Sequence, residues 1–178
     1  MFAKRKIILV LFLFASFTLS AQDAISKYFE EYTEQENFTN VTISSKMFSL
    51  FTHIDLDSEE DKEMLAAMSK LKGLRILASD SLGDARAFYK KAIKKPGKDY
   101  EELMTIKNGG EEEMLFLIRE ENGKIAELVL MVGGNDGFFV MTIFGDVDLQ
   151  QISKLSKSMN IEGIGYLGNL NKDELDEK

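Results

Sequence analysis

Between residues 100 and 144 the chain offers four short runs of β-forming residues divided by Asn/Gly turns, and this pattern restricts the fold more than any other. The runs cover residues 100–107, 114–120, 125–132 and 138–144. The gaps hold Asn108-Gly109-Gly110, Asn122-Gly123 and Gly133-Gly134-Asn135-Asp136-Gly137. Asparagine and glycine accept the positive φ that tight reversals need, so each gap reads as a hairpin turn. Successive short hairpins force antiparallel neighbours, which predicts a meander. Leu115-Phe116-Leu117-Ile118 and Leu128-Val129-Leu130-Met131 are apolar at consecutive positions. Strands of that kind need cover on both faces, from helices or from a partner.

The flanks read as mostly helical. Asp23 can cap a short helix that puts Ile25, Tyr28, Phe29 and Tyr32 on one face. Phe38, Val41 and Ile43 alternate like a strand, and residues 46–51, with Met47, Phe48, Leu50 and Phe51, read as a buried helical turn or two. Ser58 with Asp61 resembles a capping box, although Glu or Gln is the usual partner. The helix it opens turns Met64, Leu65, Met68 and Leu71 inward, and Gly73 is placed to end it. Residues 74–78 make a short strand; Ala85, Phe88, Tyr89 and Ala92 mark a helix stopped by Pro96-Gly97. After Gly145, Asp146 or Asp148 caps a last helix carrying Val147, Leu149, Ile152, Leu155 and Met159. The expected fold class is α+β: an antiparallel β-meander over about residues 100–144 plus one or two N-terminal strands, packed with about four helices.

The first 21 residues have a separate purpose. Lys4-Arg5-Lys6, an apolar stretch over residues 7–19 and the small pair Ser20-Ala21 read as a secretory signal peptide. The apolar stretch is shorter than the ~18–20 residues that span a bilayer. The expected organisation is a signal peptide over residues 1–21, one domain over 22–168 and a polar, frayed tail over 169–178. Three of the 22 basic residues and none of the 30 acidic ones lie in the signal, leaving 19 against 30 and a charge of −11. Such a balance argues against nucleic acid and anionic membranes as partners. The chain has no cysteine, hence neither a disulfide framework nor a residue to carry a lipid anchor.

Each candidate site competes with a plainer reading. Gly163-Ile164-Gly165-Tyr166-Leu167-Gly168 matches GxGxxG, but it follows a helix and no ribose-binding acid lies beyond it. His53, Asp55 and Asp57 alternate and would share one side of an extended segment as weak metal candidates. A single histidine is a poor zinc set, Glu60 and Ala66 break the calcium-loop pattern, and a polar loop leading to Ser58 is the stronger reading. Arg86, Lys90 and Lys94 recur every fourth residue, with Lys91 and Lys95 beside them. They form a stripe suited to an anionic partner or, more commonly, a solvated helix face. The methionines, among them Met47, Met64, Met68, Met104 and Met131, coincide with apolar periodicity and read as core filling. No nucleophile elbow, P-loop or paired-histidine helix is present, so no catalytic residue and no cofactor are assigned.

The passage from Phe29-Glu30-Glu31-Tyr32 to Asn40-Val41-Thr42-Ile43-Ser44-Ser45-Lys46-Met47-Phe48 resembles DUF4252, a family of small exported proteins of Gram-negative bacteria. Val41, Ile43, Met47 and Phe48 carry the resemblance and read as core; Lys46 is the exception, and must snorkel to the surface or pair with an acid such as Asp55. The resemblance implies an envelope location and supplies no activity, ligand or catalytic residue. Many members look like lipoproteins, whereas this chain lacks the cysteine for it. Some appear beside genes for sigma-factor regulation, which implies envelope signalling. The resulting expectation is a non-enzymatic, soluble, periplasmic or secreted module that binds a protein or peptide partner in the envelope, with self-association open. The alternatives are a carboxylate-dependent envelope hydrolase, with two acids ~5–10 Å apart in a pocket, and a regulatory partner in envelope stress signalling.

Overall fold

A computed structural model describes residues 22–51, 58–109, 112–135 and 137–158. The expectations for residues 1–21, for His53, Asp55 and Asp57, and for the glycine motif and tail after residue 158 lie outside the described residues. The described chain runs α1 (Ala24–Tyr28), a 3₁₀ turn (Glu30–Tyr32), β1 (Thr39–Ser44), α2 (Ser45–Phe51), α3 (Glu59–Ser69), β2 (Leu71–Ser79) and α4 (Ala85–Ala92). It continues through β3 (Glu101–Asn108), β4 (Glu112–Glu121), β5 (Lys124–Gly134), β6 (Phe138–Gly145) and α5 (Leu149–Ser158). The six strands form one antiparallel sheet in the order β1-β2-β6-β5-β4-β3, so the chain is an α+β protein whose meander is extended by an N-terminal pair.

The meander follows its turn chemistry. Asn122 (φ 55°) and Gly123 (φ 73°) make the two-residue β4–β5 reversal, the primed geometry that matches strand twist. Both faces of the sheet are covered by helices, as the consecutive apolar positions demanded. On one face α1, the 3₁₀ turn and α4 pack Ile25, Phe29 and Tyr89 over Leu77, Leu117, Val129, Met131 and Val140. On the other, Phe48 of α2 and Leu149 and Ile152 of α5 cover Phe116, Leu128, Leu130, Met141 and Ile143.

Caps act where side chains were available to make them. Asp23 accepts from Ile25 N and Ser26 N, and Asp84 accepts from Ala87 N. Asp148, not Asp146, caps α5 by accepting from Gln150 N and Gln151 N; Asp146 pairs with Lys124 at 2.6 Å.

The helix-to-strand boundary near residue 70 departs from expectation. Leu71 belongs to β2 and not to the preceding helix, and Gly73 lies inside that strand instead of ending the helix. Periodicity could not separate these cases, because Leu71 is buried either way. Pairing with β6 decides it: Leu71 faces Gly145, and Asp146 N donates to the Lys70 carbonyl. The ring of Phe144 occupies the place a Gly73 side chain would need. The α2 passage is also only half buried. Phe48 faces the core, whereas Met47 and Leu50 are 46% and 54% exposed and Lys46 stands in solvent. A seven-residue helix on the sheet margin has one face to bury, so apolar residues on its other face stay outside.

Candidate functional site

The centre of the sheet holds a charge that the sequence reading missed. Glu127 is 0% exposed and faces the α1 side in phase with Val129 and Met131. Its Oε1 accepts from Ala24 N at 2.6 Å and from the Thr142 hydroxyl; its Oε2 accepts from the Tyr100 hydroxyl at 2.7 Å and from Arg119 Nε and Nη2, both at 3.2 Å. Every carboxylate oxygen is thus partnered, and the counter-charge is adjacent, the conditions under which a buried charge is tolerated. Nearby, Arg75 reaches Asp23 and the Ser26 hydroxyl. Lys95 donates to the Tyr28 carbonyl at 2.9 Å and to Glu31 Oε1 at 2.8 Å. These contacts fasten the N-terminal segment to the sheet and to the loop after α4. The five donors around Glu127 leave it no free lone pair for chemistry.

Tyr100 is held well above its ordinary range by burial first and by the Glu127 charge second. Burial, then Glu113 and Glu102, push Tyr89 from 10.0 to about 12. Because the folded state holds these phenolic protons more tightly than the unfolded chain, the stabilisation is complete below pH 10; the Tyr89 share is lost as pH rises through about 12 and the Tyr100 share at higher pH still. Folding stability is therefore expected to decline steeply between those values. Tyrosinate absorbance should lag that of a denatured sample until unfolding releases it.

Tyr89 also shapes a groove. Its ring lies on the backbone of Gly133, filling the position of an absent Cβ. Beside it an open groove of about 670 Å³ runs between α4 and β3–β4, floored by Leu115 and Leu117 and rimmed by Lys94, Lys107, Glu102 and Glu113. The Arg86, Lys90 and Lys94 stripe lies along this side. Arg86 donates to Asn135 Oδ1 at 2.9 Å, and Arg86 and Lys90 border a small recess with Glu112 and Glu113. The basic stripe thus faces acids of its own chain. Among the described residues no group of three or more His, Cys, Asp or Glu side chains is arranged to hold a metal ion.

A larger open concavity of about 880 Å³ caps the end of the sheet where β1 and β6 begin and β2, β3 and β5 finish. Its lining combines Glu36, Asp80 and Glu112 with Phe38, Phe139 and the Gly133-Gly134 backbone.

The two sheet edges differ sharply. Among the described residues β1 and β3 each pair on one side only. β3 carries Glu101, Glu102 and Lys107 and is broken by a register shift between Glu102 and Met104. Charges and bulges of this kind block further strand addition. β1, Thr-Asn-Val-Thr-Ile-Ser, has no charge, no proline and no register shift along its pairing with β2. The three exposed large hydrophobic side chains among the described residues, Val41, Met47 and Leu50, all lie on β1 or α2.

An α+β protein with one helix-covered antiparallel sheet and, among the described residues, one unguarded edge is the class that fold and site define. The family model described as a domain of unknown function (DUF4252) matches residues 32–155, a span that includes all six strands, and the chain belongs to that family. No curated protein and no solved structure matches the chain. No helix among the described residues is long and apolar enough to cross a membrane.

Proposed function

We propose that the protein is exported to the periplasm or beyond and acts there as a non-enzymatic protein-interaction module, accepting an extended segment of another polypeptide along β1. The observation that carries this reading is the β1 edge itself: uncharged, without a register shift, paired on one side only among the described residues, and carrying the exposed Val41. Strand addition satisfies the outward N–H and C=O groups of such an edge, while side-chain pockets give selectivity. Export rests on the charged start, apolar stretch and small residues of positions 1–21.

Two measurements test the reading. Produced in a Gram-negative host, the protein should be found in the periplasmic fraction with the intact mass of residues 22–178; a cytoplasmic chain of full mass would refute export. A synthetic peptide of alternating threonine and valine should slow hydrogen exchange at every second β1 amide, and Val41→Lys should abolish that protection. Unchanged exchange would refute the edge. The carboxylate-enzyme alternative draws on Glu36, Asp80 and Glu112 around the end concavity, and a regulatory role in envelope stress would use the same β1 edge.

A further inference from the structure

We propose that the strand accepted by β1 belongs to a second copy of this chain, paired antiparallel about a two-fold axis at Val41. The inference rests on the edge reading above and names its occupant.

Without its first 21 residues the chain has 19 basic against 30 acidic residues, a charge of −11, so two copies repel unless their contact is locally neutral or complementary. Thr39–Ser44 is neutral. Its flanks are of opposite sign: Glu36 lies in the turn before β1, and Lys46 lies in the first turn of α2. Both are exposed, and neither has an ion-pair partner among the described residues. Antiparallel pairing reverses direction, so the acid flank of each copy meets the basic flank of the other. An axis at Val41 sets Thr39 opposite Ile43 and Glu36 opposite Lys46, five residues to either side. The pattern acid, neutral strand, base is self-complementary, and the pairing creates two such contacts per dimer. Lys46, which packing within one chain leaves unexplained, gains a partner.

Packing agrees with the charge argument. Val41 shares the β1 face of Ile43, which packs against the cluster that includes Phe48 of α2. A two-fold axis normal to the sheet keeps that face on the same side in both copies. Val41 then sits beside its own equivalent at the axis, and the exposed Met47 and Leu50 of the two α2 helices flank it. A six-residue edge adds about six backbone hydrogen bonds in such a pair, three from each copy. The contact is isologous, so it closes at two chains and leaves the guarded β3 edges outermost.

The full chain without its first 21 residues should sediment as a dimer at high concentration and dissociate on dilution. Because the chain has no cysteine, single substitutions report register directly. Val41→Cys should give the highest yield of disulfide-linked dimer under mild oxidation, with yield falling towards Thr39→Cys and Ile43→Cys. Lys46→Glu and Glu36→Lys should each weaken dimerisation ~5–10-fold, and the two together should restore it to within ~3-fold. A dimer lacking both the cross-linking maximum and the charge rescue overturns the proposal. A monomer at every concentration also overturns it. If the threonine–valine peptide still protects β1 in that monomer, the edge reading stands and only the second copy is excluded; if it does not, both fall.

Discussion

Glu127→Ala is expected to lower the unfolding free energy by about 3–5 kcal/mol, because it takes from the half-buried Arg119 the buried one of its two carboxylate partners, Glu127 and Glu121, and leaves two hydroxyls and a helix N–H without an acceptor. The donors concerned are Arg119, Tyr100, Thr142 and the Ala24 amide. Against the ~5–15 kcal/mol available to a typical domain, one substitution would remove a large share of the total. Urea unfolding monitored by tyrosine fluorescence measures it. Removing both charges together, with Glu127→Leu and Arg119→Met, should cost less than Glu127→Ala alone, since no charge is then left beside the emptied site. A loss below ~1 kcal/mol for the single change would mean that water reaches Glu127.

A chain beginning at Tyr32, the first residue of the family match, is expected to lose its cooperative fold. The ten residues 22–31 lie outside the match, yet they supply Ala24, Ile25 and Phe29, each 0% exposed, and the cap residue Asp23. Truncating a buried phenylalanine costs about 3–5 kcal/mol and an isoleucine about 2–5. Losing both, together with the Ala24 donor to Glu127, approaches the whole stability of a domain this size. Near-ultraviolet circular dichroism should show loss of fixed aromatic packing, since Phe29 meets Phe138 at 5.9 Å between ring centres. A sharp two-state transition in the shortened chain would refute the claim. Phe29→Leu in the full domain, which keeps most of the volume, should retain it.

What the sequence disclosed and what it hid follow from the range of each signal. The hairpins were legible because Asn122-Gly123 and its neighbours specify reversal locally, and the double burial of β4 and β5 was legible because no one-sided strand is apolar at consecutive positions. Glu127 was hidden by its surroundings: one acid in an apolar run reads as a solvent-facing interruption. Turn arithmetic from Asn122-Gly123 would pair Arg119 with Ala126. Only the irregularity between Arg119 and Glu120 moves it opposite Glu127. A bulge leaves little mark on composition. The fate of Leu71 and the exposure of Met47 and Leu50 depend on contacts with β6 and on the position of α2 at the sheet margin, which no short window contains. The unguarded state of β1 was legible in its letters, but that β1 is an edge at all is a property of strand order.

Strand order also sets a timetable. β3 to β6 zip through neighbouring hairpins, whereas β2 must find β6 across the whole intervening meander, as in the Leu71 and Gly145 pair. Closing that long loop carries an entropic cost that the local hairpins avoid, so it belongs late in folding. A chain emerging amino end first would present β2 long before its acceptor β6 exists. During that interval the β1–β2 pair has no sheet behind it. The pair that carries the β1 edge in the finished molecule is thus the pair most in need of a chaperone's cover on the way there.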